Sequence, residues 1–175
     1  MRCVLAILLC LLFAAPLNAQ KQKREPLTEA QVEKIAEAGV DPNERVTLYT
    51  QYLNEHADAI KALTNRAKSD ARSSRLNDAL QDLTTLMDEL GDNLDVFSDR
   101  KADIRKSLQA LSEAAPRWQG ILRALAGEPG FDLARKEAIE SNEELSDQAK
   151  RLLQEQADYF KQHPDEIGQD RAEPK

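Results

Sequence analysis

The stretch from Leu76 to Leu125, LNDALQDLTTLMDELGDNLDVFSDRKADIRKSLQALSEAAPRWQGILRAL, decides the fold. Read in steps of four and three it gives Leu76, Leu80, Leu83, Met87, Leu90, Leu94, Phe97, Lys101, Ile104, Leu108, Leu111, Ala115, Trp118, Leu122 and Leu125. Fourteen of these fifteen positions are apolar, and Lys101 is the exception. Such spacing lays one apolar stripe along an α-helix and is the heptad pattern of a coiled-coil seam. A turn placed inside the stretch would have to preserve this phase. The spacing therefore predicts one long helix, kinked near Pro116, with its ends roughly 70 Å apart at about 1.5 Å per residue. The competing arrangement is a hairpin turning within residues 91–99, where Gly91 is a helix breaker.

Upstream, Asp41-Pro42-Asn43-Glu44 is a strong helix start, with an N-cap acid, proline at the first helical position and an acid in the first turn. From it Val46, Tyr49, Leu53, His56, Ile60, Leu63 and Ala67 form a second seam, broken by the polar run Lys68–Arg75 (KSDARSSR). Before that, Thr28 and Gln31 make a capping box for a short helix that stops at Gly39. Downstream, Gly127-Glu128-Pro129-Gly130 is a turn, and Asp132 opens a last helix with Ala138, Asn142, Leu145, Ala149, Leu152, Gln156 and Tyr159 on its seam. So tight a turn predicts antiparallel packing of the helices it joins, and the first long helix should pack antiparallel on the start of the second. The fold expected is an all-α, elongated antiparallel helical bundle with coiled-coil-like heptad seams, of three long helices, or four if the middle one folds back.

The first residues have a different character. After Met1 and Arg2, Cys3–Ala15 is continuously apolar and is followed by Pro16-Leu17-Asn18-Ala19, which ends on the small residue an exported leader needs at its cleavage point. The run is shorter than the roughly 20 apolar residues of a membrane span. Residues 1–19 read as a signal peptide, against an uncleaved anchor favoured by Lys21, Lys23 and Arg24 behind the run. A lipid-anchored start at Cys10 is disfavoured by Leu9 before it. Residues 20–27 read as a flexible lead-in, 28–162 as a single helical domain and 163–175 as a frayed tail. Both cysteines lie in the leader, so the mature chain has no thiol for a disulfide, a zinc site or a nucleophile. The whole chain carries −7; losing Arg2 with the leader leaves 23 basic against 31 acidic residues, a net −8. So acidic a chain is unsuited to general nucleic-acid binding, which needs clustered cations.

Groups able to carry chemistry are sparse. No P-loop, dinucleotide loop, nucleophile elbow or HExxH is present. His56, on the seam between Leu53 and Ile60, is either a pH-sensitive or ligand-binding core group or simply a packed histidine at the seam edge. His163 suits the negative end of the last helix. Asp88, Glu89, Asp92, Asn93, Asp95 and Asp99 invite a calcium reading, but their spacing is not that of an EF-hand loop, and recurrence by three and four describes a solvated helical face. Trp118, between Arg117 and Arg123, is either a binding anchor or core.

Leu27-Thr28-Glu29-Ala30-Gln31 resembles the LTxxQ element of small helical periplasmic stress chaperones of the Spy and CpxP kind, which are also exported, cysteine-poor and all-α. The resemblance covers five residues and occurs once where that family usually has two. Together these features lead to the expectation of an exported, periplasmic or secreted, non-enzymatic helical interaction protein: a scaffold, chaperone-like binder or envelope-assembly subunit. It would meet a protein partner or a second copy along its helix seams, with no cofactor, no metal, no nucleic acid and no stable membrane span after cleavage. The alternative is an enzyme or small-ligand carrier using carboxylates or His56 in the bundle core.

Overall fold

In the computed structural model, which describes residues 25–168, the first three α-helices begin where side chains meet their free N–H groups. Helix α1 (Glu29–Glu37) is closed by the Thr28–Gln31 capping box, and a 3₁₀ turn at Ala38–Val40 leads out of it. Asp41 starts α2 (Pro42–Thr64), its carboxylate accepting from the N–H groups of Asn43 and Glu44. Ser69 caps α3 (Asp70–Asp99). Helices α4 (Arg105–Ala124) and α5 (Asp132–Gln162) complete an all-helical bundle, with no strand among the described residues. No described helix is long and apolar enough to cross a membrane. The leader, residues 1–19, lies outside the described residues, as do residues 20–24 and 169–175.

The single helix expected over Leu76–Leu125 is instead two, broken between Asp99 and Arg105. Gly91 is not the breaker; it lies inside α3. Likewise α4 continues through Pro116. The break is a C-terminal cap in which Lys101 takes the left-handed conformation at φ +56°. The Ala102 N–H donates to the Phe97 carbonyl (3.0 Å) and the Lys101 N–H to the Ser98 carbonyl (3.0 Å), the paired bonds of a Schellman motif. Glycine usually fills that left-handed position, so a lysine there hides the stop. The apolar phase survives because Phe97 and Ile104, seven residues apart, both close the same end of the core at 4% and 0% exposure.

Amides from two other helices hold this link. Gln156 of α5, itself buried, donates through Nε2 to the Ala102 carbonyl (2.9 Å) and accepts from the Ile104 N–H (3.1 Å). Asn43 of α2 donates to the Asp103 carbonyl (2.7 Å) and accepts from the Ser107 N–H (3.3 Å). Ile104, the α4 N-cap residue, offers no side-chain cap, so Asn43 supplies from outside an acceptor for one of that helix's orphan donors. The Arg105 guanidinium grips Asp103 and, with the Gly168 N–H, holds its carboxyl below the ordinary aspartate value. That lowered value means the contact contributes fully above the ordinary carboxylate range and is lost as pH falls below that range and through the lowered value.

The link also sets the topology. Helix α2 packs on α3 and α4, and α5 packs on the same two, while α3 and α4 stand diagonally opposite rather than side by side. The chain runs up α2, down α3, up α4 and down α5. Thus α2/α3 and α4/α5 are antiparallel as expected, but α2/α4 and α3/α5 are parallel. Ser141 reaches Asp88 and Gln148 reaches Asp95, the same offset twice, which is the signature of parallel neighbours. Helices of about 30 residues make a bundle about 45 Å long rather than a 70 Å rod.

The seams are occupied with small corrections. Ala57, at 1% exposure, takes the core place expected of His56, which is half-buried, because α2 faces two neighbours and needs a broader apolar face. Phe160, not Tyr159, ends the α5 seam. Asp132 is the first residue of α5 rather than its cap; its carboxylate pairs with Arg135 and Lys136, which hold it below its ordinary value. At the other end, buried Arg72 donates to the Leu63 carbonyl (3.1 Å) and, with Lys68, pairs with Glu128, tying the α2–α3 and α4–α5 turns together. Residues 163–168 lie back on the bundle, the Tyr159 hydroxyl donating to Glu166 and the Tyr159 ring stacking on His163 at 4.3 Å.

Candidate functional site

The residues with chemical potential are dispersed. Trp118 is fully buried between α2 and α4, its indole N–H donating to Asn54 Oδ1 (2.9 Å), so it is core. Arg117 reaches the same oxygen (3.0 Å) and pairs with Asp58. Asn54 carried no sequence signal beyond its distance from the seam. The acidic stretch does not converge: Asp88 accepts from the Ser141 hydroxyl (2.7 Å) and Asp95 from the Gln148 amide (2.7 Å), tethering α3 to α5, while Asp92 and Asp99 face solvent. Among the described residues no group of three or more His, Cys, Asp or Glu side chains could hold a metal. His56 lines none of the grooves described below. Its replacement by leucine should leave the protein folded, with stability changed by less than about 1 kcal/mol in a denaturant titration, since half-buried positions rarely cost more.

The surface offers open grooves. A groove of about 330 Å³ separates α1 from the bundle, lined by Leu27, Val32, Ile35 and Ala36 on one wall and by Arg45, Tyr49 and Glu89 on the other. Val32 is 49% exposed there, and Arg45 Nε is buried without a hydrogen bond. Burial, reinforced by Glu89, raises the Tyr49 hydroxyl above its ordinary value, against the opposing effect of Arg45 and Asn93, so it stays neutral at physiological pH. A second groove, of about 290 Å³ between α3 and α5, has Asp88, Asp92, Asp95 and Glu144 around Gly91. A third, of about 390 Å³, runs between the ends of α2 and α4 past Lys61, Arg117, Gly120 and Ile121.

The α1 groove combines an apolar wall with a few polar groups, the composition of a recognition surface. Sequence periodicity could not have found it, because it lies between a short helix and two long ones. Neither a family model, nor a curated protein, nor a solved structure matches the chain.

Proposed function

We propose that the protein is an exported, non-enzymatic interaction protein that receives an apolar segment of a partner polypeptide in the groove beside α1. One observation carries this reading: α1 leaves Val32 and Ala36 exposed beside Leu27 and Tyr49, an apolar strip that no described residue fills, with hydrogen-bonding groups at its edge. Elsewhere the core positions from Leu76 to Leu122 are taken by the protein's own side chains. A periplasmic or secreted scaffold, a chaperone-like binder and an envelope-assembly subunit would each use such a strip.

Two measurements test the proposal. Intact mass of the protein from its producing cells should correspond to a chain beginning at or within one residue of Gln20; a full-length mass in the membrane fraction would sink the exported form. A photo-crosslinking side chain at Val32 should capture a partner polypeptide that one at exposed Leu133 or Val96 does not, and Ala36→Asp should cut that capture at least tenfold. Equal capture at all three positions would remove the groove from consideration.

A further inference from the structure

We propose that the α3–α4 link is a hinge through which two copies of this chain exchange their α4–α5 halves, giving a dimer built around a continuous helix from Asp70 to Ala124. Four observations converge on it. The heptad phase is kept across the link, with Lys101 as its one polar position, and residues 92–115 contain neither glycine nor proline, so the segment has the pattern and composition of a straight helix. The turn requires Lys101 at φ +56°, a conformation that costs a side-chain-bearing residue energy and that straightening relieves. The link is held from outside, by Asn43 and Gln156, and α4 has no side-chain cap of its own.

The fourth observation is topological. Because α3 and α4 stand diagonally across the bundle, they are not a neighbouring pair that straightening would part. The contacts that do break, α2 with α4 and α3 with α5, are the same ones a second copy restores when its own halves fill the vacated places. This is domain swapping through a short hinge loop. Straightening gives up the four amide hydrogen bonds of Asn43 and Gln156 but forms helical backbone bonds in their place. The chief opposing feature is Lys101, which would stand as the one charged residue on the continuous seam, close to its counterpart in the partner copy.

Lys101 is exposed in the folded chain, so two substitutions there push the equilibrium in opposite directions without disturbing the core. Lys101→Leu keeps the left-handed cost and completes the seam; it should raise the dimer association constant at least tenfold. Lys101→Gly removes the cost and weakens the straight helix in both chains; it should lower the constant by roughly a hundred- to thousandfold. Each protein, with Cys3→Ser and Cys10→Ser, is unfolded and refolded at about millimolar concentration and resolved by size exclusion with light scattering. Spin labels at Gln81→Cys and Ala124→Cys, diluted with unlabelled chain, then report the distance within one chain. Monomers, with the labels on the outer faces of diagonal helices, should give about 35 Å or less and dimers about 65 Å. A dimer fraction identical in the three proteins, no dimer in Lys101→Leu, or a dimer that keeps the short distance would each overturn the proposal.

Discussion

Leu83→Asp should destabilise the protein by about 3 kcal/mol or more, enough to remove a large share of the 5–15 kcal/mol typical of a folded domain. Leu83 is 0% exposed on α3, the helix that packs on both α2 and α5. Losing a fully buried leucine costs about 2–3 kcal/mol in transfer alone. The carboxylate that replaces it finds only leucines and methionine in phase on its own helix, so it either enters the core uncompensated or takes up a proton. A carboxyl whose folded pKa is raised incurs no charge penalty below its ordinary pKa, and the penalty grows as pH rises above it. The gap between this variant and the parent should therefore narrow on acidification. Urea titrations at neutral and acid pH measure it, with Leu133→Asp at a 71% exposed site as the near-neutral control. A Leu83→Asp midpoint close to the parent's would show that the α3 seam is not core.

The second large effect is expected where periodicity has nothing to say. Gln156→Leu fits the seam better than the native residue, yet should cost about 3 kcal/mol. Its amide is the partner of both the Ala102 carbonyl and the Ile104 N–H. Leucine leaves these two backbone groups of a buried turn without partners, at about 1–3 kcal/mol each, partly offset by the gain in apolar burial. Gln148→Leu is the contrast: that amide reaches Gly91 and Asp95 from a half-buried position on the same helix, and its loss should cost under about 1 kcal/mol. Were both variants equally stable, the link would be held by its own sequence and not by α5.

The amino-acid sequence by itself determined the local structure of this protein. The Thr28–Gln31 box, Asp41-Pro42, the 127–130 turn and nearly every seam residue are visible because capping and helical phase are properties of neighbouring residues, set within one or two turns. His56 and Tyr159 were misplaced by a single position because a helix packed on two neighbours buries a wider face than a two-stranded seam does.

What only the tertiary structure decided is where the long apolar series breaks and how its halves are arranged. The stop at Lys101 has no glycine to announce it, and the residues that enforce it, Asn43 and Gln156, lie 60 and 54 residues in the chain from the link carbonyls they bind. The parallel pairing of α2 with α4 and of α3 with α5 follows from that link, as does the strip beside α1. A continuous heptad pattern is satisfied equally by one straight helix and by two whose junction falls at its single polar position. The choice between them rests on hydrogen bonds made across the bundle, and these exist only once the helices have packed.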